Sequence, residues 1–181
     1  KIDYWKTGHS YIKRRVNELN ALAGFEKSGH FFFNAPLGRG YDDGLVFALA
    51  VCEMLDRRPD KKMSDLKNEL PKTWQSPTMS PHCPDEVKYD VVERVVRHFE
   101  DAHRRGDLVA GQRIRDLVTV NGVRVVVEDG TWGLVRASSN KPELVVVVES
   151  PVSEARMRDM FTAIDTVLRT HPEVGEYNQR I

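Results

Sequence analysis

Four prolines stand within fourteen residues, at Pro71, Pro77, Pro81 and Pro84. A helix interior cannot hold such a run, because each proline removes a backbone donor and clashes with the preceding turn. The stretch therefore divides the chain. It reads as an interdomain linker and hinge candidate, with room for one edge strand.

After the prolines, Pro84 to Arg105 reads as a long helix with Val87, Val91, Val92, Val95 and Phe99 on its inward stripe. Val118–Val120 and Val123–Val127 flank Asn121-Gly122, a two-residue hairpin signal. Gly133–Arg136 is a third strand, and Leu144–Val148, apolar throughout, is a fourth and central one. Glu154–Leu168 closes the unit as a helix carrying Met157, Met160, Phe161, Ile164 and Leu168. Residues 73–181 thus form a small α+β domain, an antiparallel sheet covered by helices.

Before the prolines, residues 1–72 read as a truncated α/β domain, so the fold class is α/β in its mixed α+β form. Ile2–Trp5 is a short strand, Ser10 an N-cap, and Tyr11–Ala21 a helix with Ile12, Val16 and Leu19 on one face. Ala21–Phe25 and His30–Phe33 are strands, and Pro36–Gly40 is a turn. Asp42 caps an apolar helix that ends at Arg57-Arg58-Pro59, and Met63–Glu69 is a short helix. The chain opens at Lys1 without a methionine, which reads as a fragment starting inside a domain.

Charge excludes one class of partner. Twenty-seven basic residues balance 27 acidic ones, so the surface offers no general field for nucleic acid, and any bound anion needs a local site. No apolar run reaches membrane-spanning length and no secretory signal is present, so no membrane partner is expected and the location is read as cytoplasmic. Two cysteines, Cys52 and Cys83, make no disulfide framework. The pair His82-Cys83 has no second ligand cluster at matching spacing, so no metal is assigned to this chain.

Three loops carry the chemistry. Lys6-Thr7-Gly8-His9-Ser10 precedes the first helix. Gly24-Phe25-Glu26-Lys27-Ser28-Gly29-His30 places a carboxylate, a hydroxyl and an imidazole within five residues, a set suited to a polyol. Arg136-Ala137-Ser138-Ser139-Asn140-Lys141-Pro142 offers a planar guanidinium and hydroxyls suited to a phosphate. Taken alone, each has a plain alternative: a solvated hairpin for the second, a surface arginine for the third. Asp42 and Asp43 precede an apolar helix and are assigned to capping rather than to chemistry. Trp132, beside Gly133, is assigned to packing.

In order and spacing, these loops resemble the C-terminal half of the α-D-phosphohexomutases, the bacterial phosphomannomutase/phosphoglucomutase group above all. Tyr41-Asp42-Asp43-Gly44 and Gly133-Leu134-Val135 match that group as well. The resemblance implies the end of the third domain and the whole of the fourth in a four-domain isomerase of carbohydrate metabolism. It implies interconversion of hexose 1-phosphate and hexose 6-phosphate, mannose or glucose, through a phosphoserine and a 1,6-bisphosphate that is intermediate and activator. The phosphoserine loop and the Mg²⁺ loop of the family lie upstream of the residues present, which implies that this portion alone is inactive. By the same resemblance His9 lies near the transferring phosphoryl group as the catalytic residue. Glu26 and Ser28 grip sugar hydroxyls, His30 reaches the sugar phosphate, and Arg136, Ser138, Ser139 and Asn140 clamp the distal phosphate. Close relatives carry Asn then Thr where this chain has Ser139 and Asn140. The alternative is a stand-alone noncatalytic sugar-phosphate-binding or protein-interaction module. The oligomeric state is not fixed by the sequence.

Overall fold

A computed structural model describes residues 1–181, and the chain divides into two compact units, Lys1–Leu70 and Pro71–Ile181. No helix is long and apolar enough to cross a membrane.

The first unit has three layers. Helix α1 spans His9–Glu18, strands β1, β2 and β3 span Ala23–Phe25, Phe31–Phe33 and Tyr41–Asp42, and helices α2 and α3 span Gly44–Asp56 and Met63–Asn68. The strands form an antiparallel sheet in the order β1-β2-β3. Alternation along β2 sends Phe32 to one face, where it is fully buried, and Phe31 and Phe33 to the other. There the Phe31 and Phe47 rings stack with centroids 3.9 Å apart, joining α2 to the sheet. On the α1 side a Cβ on Gly24 would lie 2.6 Å from Val16 and 2.7 Å from Ile12. The first glycine of the Gly24–His30 segment therefore serves close helix–sheet packing and not a turn.

Several local expectations change. Ile2–Trp5 forms no strand: those residues lack a ladder partner, and Arg15 instead holds Asp3 at 2.8 Å and stacks on the Trp5 ring. Helix α1 begins two residues earlier than its apolar stripe suggests, so Ser10 lies inside it. Gly8, at φ 135°, is the N-cap. At α2 the cap is Asp43, whose side chain accepts from the N–H groups of Leu45 and Val46, and not Asp42.

In the second unit β4 (Trp74–Gln75) leads to α4 (Lys88–Arg105), then to β5 (Leu108–Val109), β6 (Gln112–Val118), β7 (Val123–Val127), β8 (Trp132–Ala137) and β9 (Leu144–Ser150), and ends with α5 (Glu154–Leu168). All pairings are antiparallel, in the order β4-β9-β8-β7-β6-β5. Val91, Val95 and Phe99 of α4 and Met160, Ile164 and Leu168 of α5 enclose one core with Val123, Val125, Val135, Val146 and Val148 of the sheet. Five residues of β9 from Leu144 are buried in succession; β4 and β8 flank the strand, and Leu144, Val146 and Val148 enter the core under the helices.

The prolines do not make a free linker past Thr73. β4 pairs with β9, after which Ser76 N–H donates to Val148 O, Met79 N–H to Val146 O, and Leu144 N–H to Pro81 O. Pro77 and Pro81 occupy positions where the ladder asks for no donor, so the segment serves as an edge. A hinge running through Pro71–Pro84 is thereby excluded beyond Thr73. The β6–β7 connection is also longer than a two-residue hairpin, occupying residues 119–122. Gly122 adopts φ +73°, and a Cβ there would stand 2.1 Å from the Val135 carbonyl oxygen and 2.8 Å from the Arg136 Cα. Gly122→Ala is expected to cost about 2 kcal/mol or more, from the left-handed conformation and the overlap together. Calorimetry should show a melting midpoint lower by about 5–10 °C; an unchanged midpoint would mean that the turn relaxes freely.

Candidate functional site

In the first unit the Glu26 loop is a tight reversal between β1 and β2. Glu26 N–H donates to His30 O at 3.0 Å and Gly29 N–H to Glu26 O at 3.0 Å. The Glu26 carboxylate turns toward the start of α1, where Oε1 accepts the Gly8 N–H at 3.2 Å. Ser28 Oγ stands 3.5 Å from Oε2, at the edge of hydrogen-bond range. A carboxylate has about four acceptor sites, so most of its capacity stays available beyond the Gly8 bond.

His30 is tied to Asp42. Its Nδ1 lies 2.7 Å from Asp42 Oδ2, and Asp42 Oδ1 accepts the Phe31 N–H at 3.1 Å. An ionised carboxylate only accepts, so the proton resides on Nδ1, and Nε2 is the acceptor in neutral His30. His9 approaches the same Asp42 oxygen, with Nε2 at 3.8 Å, and its ring packs edge-on against Phe32. The two imidazole centroids are 6.4 Å apart. The hydrogen bond to Asp42 holds His30 above the ordinary histidine range, helped by the Asp42 charge and by Glu26. The same bond to His30 holds the Asp42 carboxyl below its ordinary range. Sequence reading assigned Asp42 to capping and so missed it. The pairing Phe32↔Asp42 in the β2–β3 ladder brings it beside His30, a contact twelve residues away in sequence.

The Arg136 loop belongs to the second unit. Arg136 pairs with Val145 near the end of β8, and its Nη1 donates to the Ala137 carbonyl at 3.0 Å. Ser138 is buried; its N–H donates to Glu143 O at 3.0 Å and its hydroxyl to Asn140 Oδ1 at 3.3 Å. Ser139 and Asn140 are exposed at the tip. The backbone N–H groups of Ser139, Asn140 and Lys141 find no acceptor within the chain. Three successive unused donors beside an arginine can serve an anion. The structure thus gathers His9, Glu26, Ser28 and His30 in one cluster, and Arg136, Ser138, Ser139 and Asn140 in another. No group of three or more His, Cys, Asp or Glu side chains is placed to hold a metal ion.

Residues 1–74 match the family description phosphoglucomutase/phosphomannomutase, alpha/beta/alpha domain III. Residues 83–167 match the C-terminal domain of the same family. The chain belongs to the phosphoglucomutase/phosphomannomutase family. It is similar to the phosphomannomutase/phosphoglucomutase of Pseudomonas putida, at 33% identity over 94% of this chain and 34% of that protein. It is similar also to the protein of the same name from Pseudomonas syringae pv. tomato, at 36% identity over 81% of this chain and 28% of that protein. Among solved structures, a phosphoglucomutase/phosphomannomutase family protein from Burkholderia thailandensis superposes with a TM-score of 0.73 at 30% identity. The match covers 92% of this chain and 32% of that one. The chain spans about a third of the length of these relatives, and both loop clusters fall within the matched family segments.

Proposed function

We propose that this chain supplies the sugar-phosphate-binding part of an isomerase that interconverts hexose 1-phosphate and hexose 6-phosphate, with mannose or glucose as the sugar. The observation that carries this reading is the gathering of Glu26, His30 and Asp42 at the head of α1.

Glu26, with Ser28 beside it, accepts hydrogen bonds from adjacent sugar hydroxyls; bonds to a charged acceptor are about twice as strong as neutral ones. A grip on the middle of the ring suits a reaction in which the two ends of the sugar exchange places. His30, oriented through Nδ1 by Asp42, presents Nε2 to take the proton from the hydroxyl that receives a phosphoryl group. The resemblance implies His9 as the catalytic residue; the proton role is assigned here to His30, which alone has a fixed orienting bond. His9 stands as a second imidazole for the phosphoryl oxygens. Arg136 and the Ser139, Asn140 and Lys141 N–H groups hold the phosphate that is not reacting. In this reading the phosphoryl group passes through a phosphoserine and a 1,6-bisphosphate, and positioning plus electrostatics supply the catalysis. The phosphoserine and Mg²⁺ come from outside these residues.

A titration of the ¹⁵N-labelled chain tests the assignment. Glucose 6-phosphate should move the amide signals of residues 24–30 and 136–141, glucose only the first group, and inorganic phosphate only the second. Arg136→Ala should weaken the phosphate response about 10- to 100-fold, the worth of a charge-assisted bidentate contact. Signals of residues 136–141 that ignore both phosphates would remove the clamp.

A further inference from the structure

We propose that Lys88 is the positioning residue of the phosphate loop. This rests on the clamp reading above and extends it to a side chain outside the loop.

Lys88 is the first residue of α4, and its side chain is only 4% exposed. A buried ammonium is costly unless its donors are used. Its Nζ donates to Asp85 Oδ1 at 2.6 Å and, across 53 residues, to the Lys141 carbonyl at 2.9 Å. That carbonyl also accepts the Glu143 N–H at 2.8 Å, so both of its lone pairs are engaged. The next carbonyl, of Pro142, accepts the Cys83 N–H at 2.9 Å. The loop's exit is therefore fixed by α4 and the segment before it, while the Ser139, Asn140 and Lys141 N–H groups at the tip stay unspent.

One consequence follows for a bound phosphate. The pinned exit spares the loop the entropy of ordering when the anion arrives. Asp85 holds the same Nζ in an ion pair, so what Lys88 brings to the loop is its bond to the Lys141 carbonyl. A lysine serving only to start a helix needs neither burial nor a contact 53 residues away.

The test uses the ¹⁵N-labelled chain with Lys88→Met, which keeps length and apolar stem but removes charge and donors. Glucose 6-phosphate binding, read at residues 136–141, is expected to weaken about tenfold or more, while core amides such as Val95 and Val125 keep their positions. Lys88→Arg, which retains charge and donors, is expected to recover part of the affinity. A merely structural lysine predicts a lower melting midpoint with unchanged affinity, and that result would overturn the proposal. A second measurement needs no variant. The buried Lys88 ammonium in the unsubstituted chain should give its own ¹H–¹⁵N signal, and this should shift with glucose 6-phosphate and not with glucose. A signal that stays put overturns the proposal even where Lys88→Met fails to fold. If residues 136–141 of the unsubstituted chain ignore glucose 6-phosphate, the clamp reading fails and this proposal with it. If they respond while Lys88→Met binds as tightly, only the role of Lys88 fails.

Discussion

Glu26→Gln is expected to lower kcat/KM for glucose 1-phosphate about 10²- to 10³-fold in the protein that carries this chain, with no change in melting midpoint. Hydrogen bonds to a charged group are worth about 1.5–3 kcal/mol each, and two adjacent hydroxyls on one carboxylate reach that range of rate. The amide replaces one acceptor with a donor, so one sugar hydroxyl loses its partner outright and the other keeps only a neutral, weaker one. The competing role for Glu26 is structural, since its Oε1 accepts the Gly8 N–H at the head of α1. Glutamine keeps a carbonyl oxygen for that bond and alanine does not. The difference in melting midpoint between Glu26→Ala and Glu26→Gln therefore reports the tie to Gly8, and the loss of turnover in Glu26→Gln reports the sugar. A Glu26→Gln variant with wild-type kcat/KM would leave Glu26 a helix tie and nothing more.

That ambiguity was visible in the sequence, because the carboxylate, hydroxyl and imidazole of the Glu26 loop are neighbours there. What was legible is whatever depends on local period. The stripes of α4 and α5 and the valine runs of β7 and β9 place the second unit's core. The missing pieces depend on contacts between distant residues. β6 went unread from Gln112 to Leu117 because a register shift between Ile114 and Asp116 breaks its alternation, and charged residues fill the solvent face. Asp42 reads as a cap from its place before a helix, and only the ladder with β2 shows it beside His30. Lys88 carried a signal that was passed over: it lies three, seven and eleven residues before Val91, Val95 and Phe99, on the buried stripe of α4. A lysine on such a stripe needs a buried partner. That partner, the Lys141 carbonyl, was already within the loop assigned to phosphate.

Asp42→Asn should have an effect as large as that of Glu26→Gln, and its sign can be derived. Asp42 stabilises protonated His30, so the His30 pKa lies above the ordinary value of about 6.5. The stability this pair adds is fully present below the unfolded histidine pKa and is lost as pH rises through the raised His30 value. At the acid end the depressed Asp42 pKa sets the limit, and the contribution falls away as that carboxylate protonates. With asparagine at position 42, two things change together. The His30 titration, followed by NMR of its ring, moves down toward the ordinary histidine range. The asparagine amide can also donate to Nδ1, which puts the imidazole proton on Nε2, where a base must be bare. Loss of a positioned base in the correct tautomer costs about 10²- to 10⁴-fold in turnover. The surviving activity should keep an acid limb in kcat/KM, displaced to lower pH by the same shift seen in the ring titration. Uniform loss of activity at every pH, with the His30 pKa unmoved, would separate Asp42 from His30. A wild-type His30 that titrates at about 6.5 would break the pair at its source, since the 2.7 Å contact to a carboxylate requires a raised value.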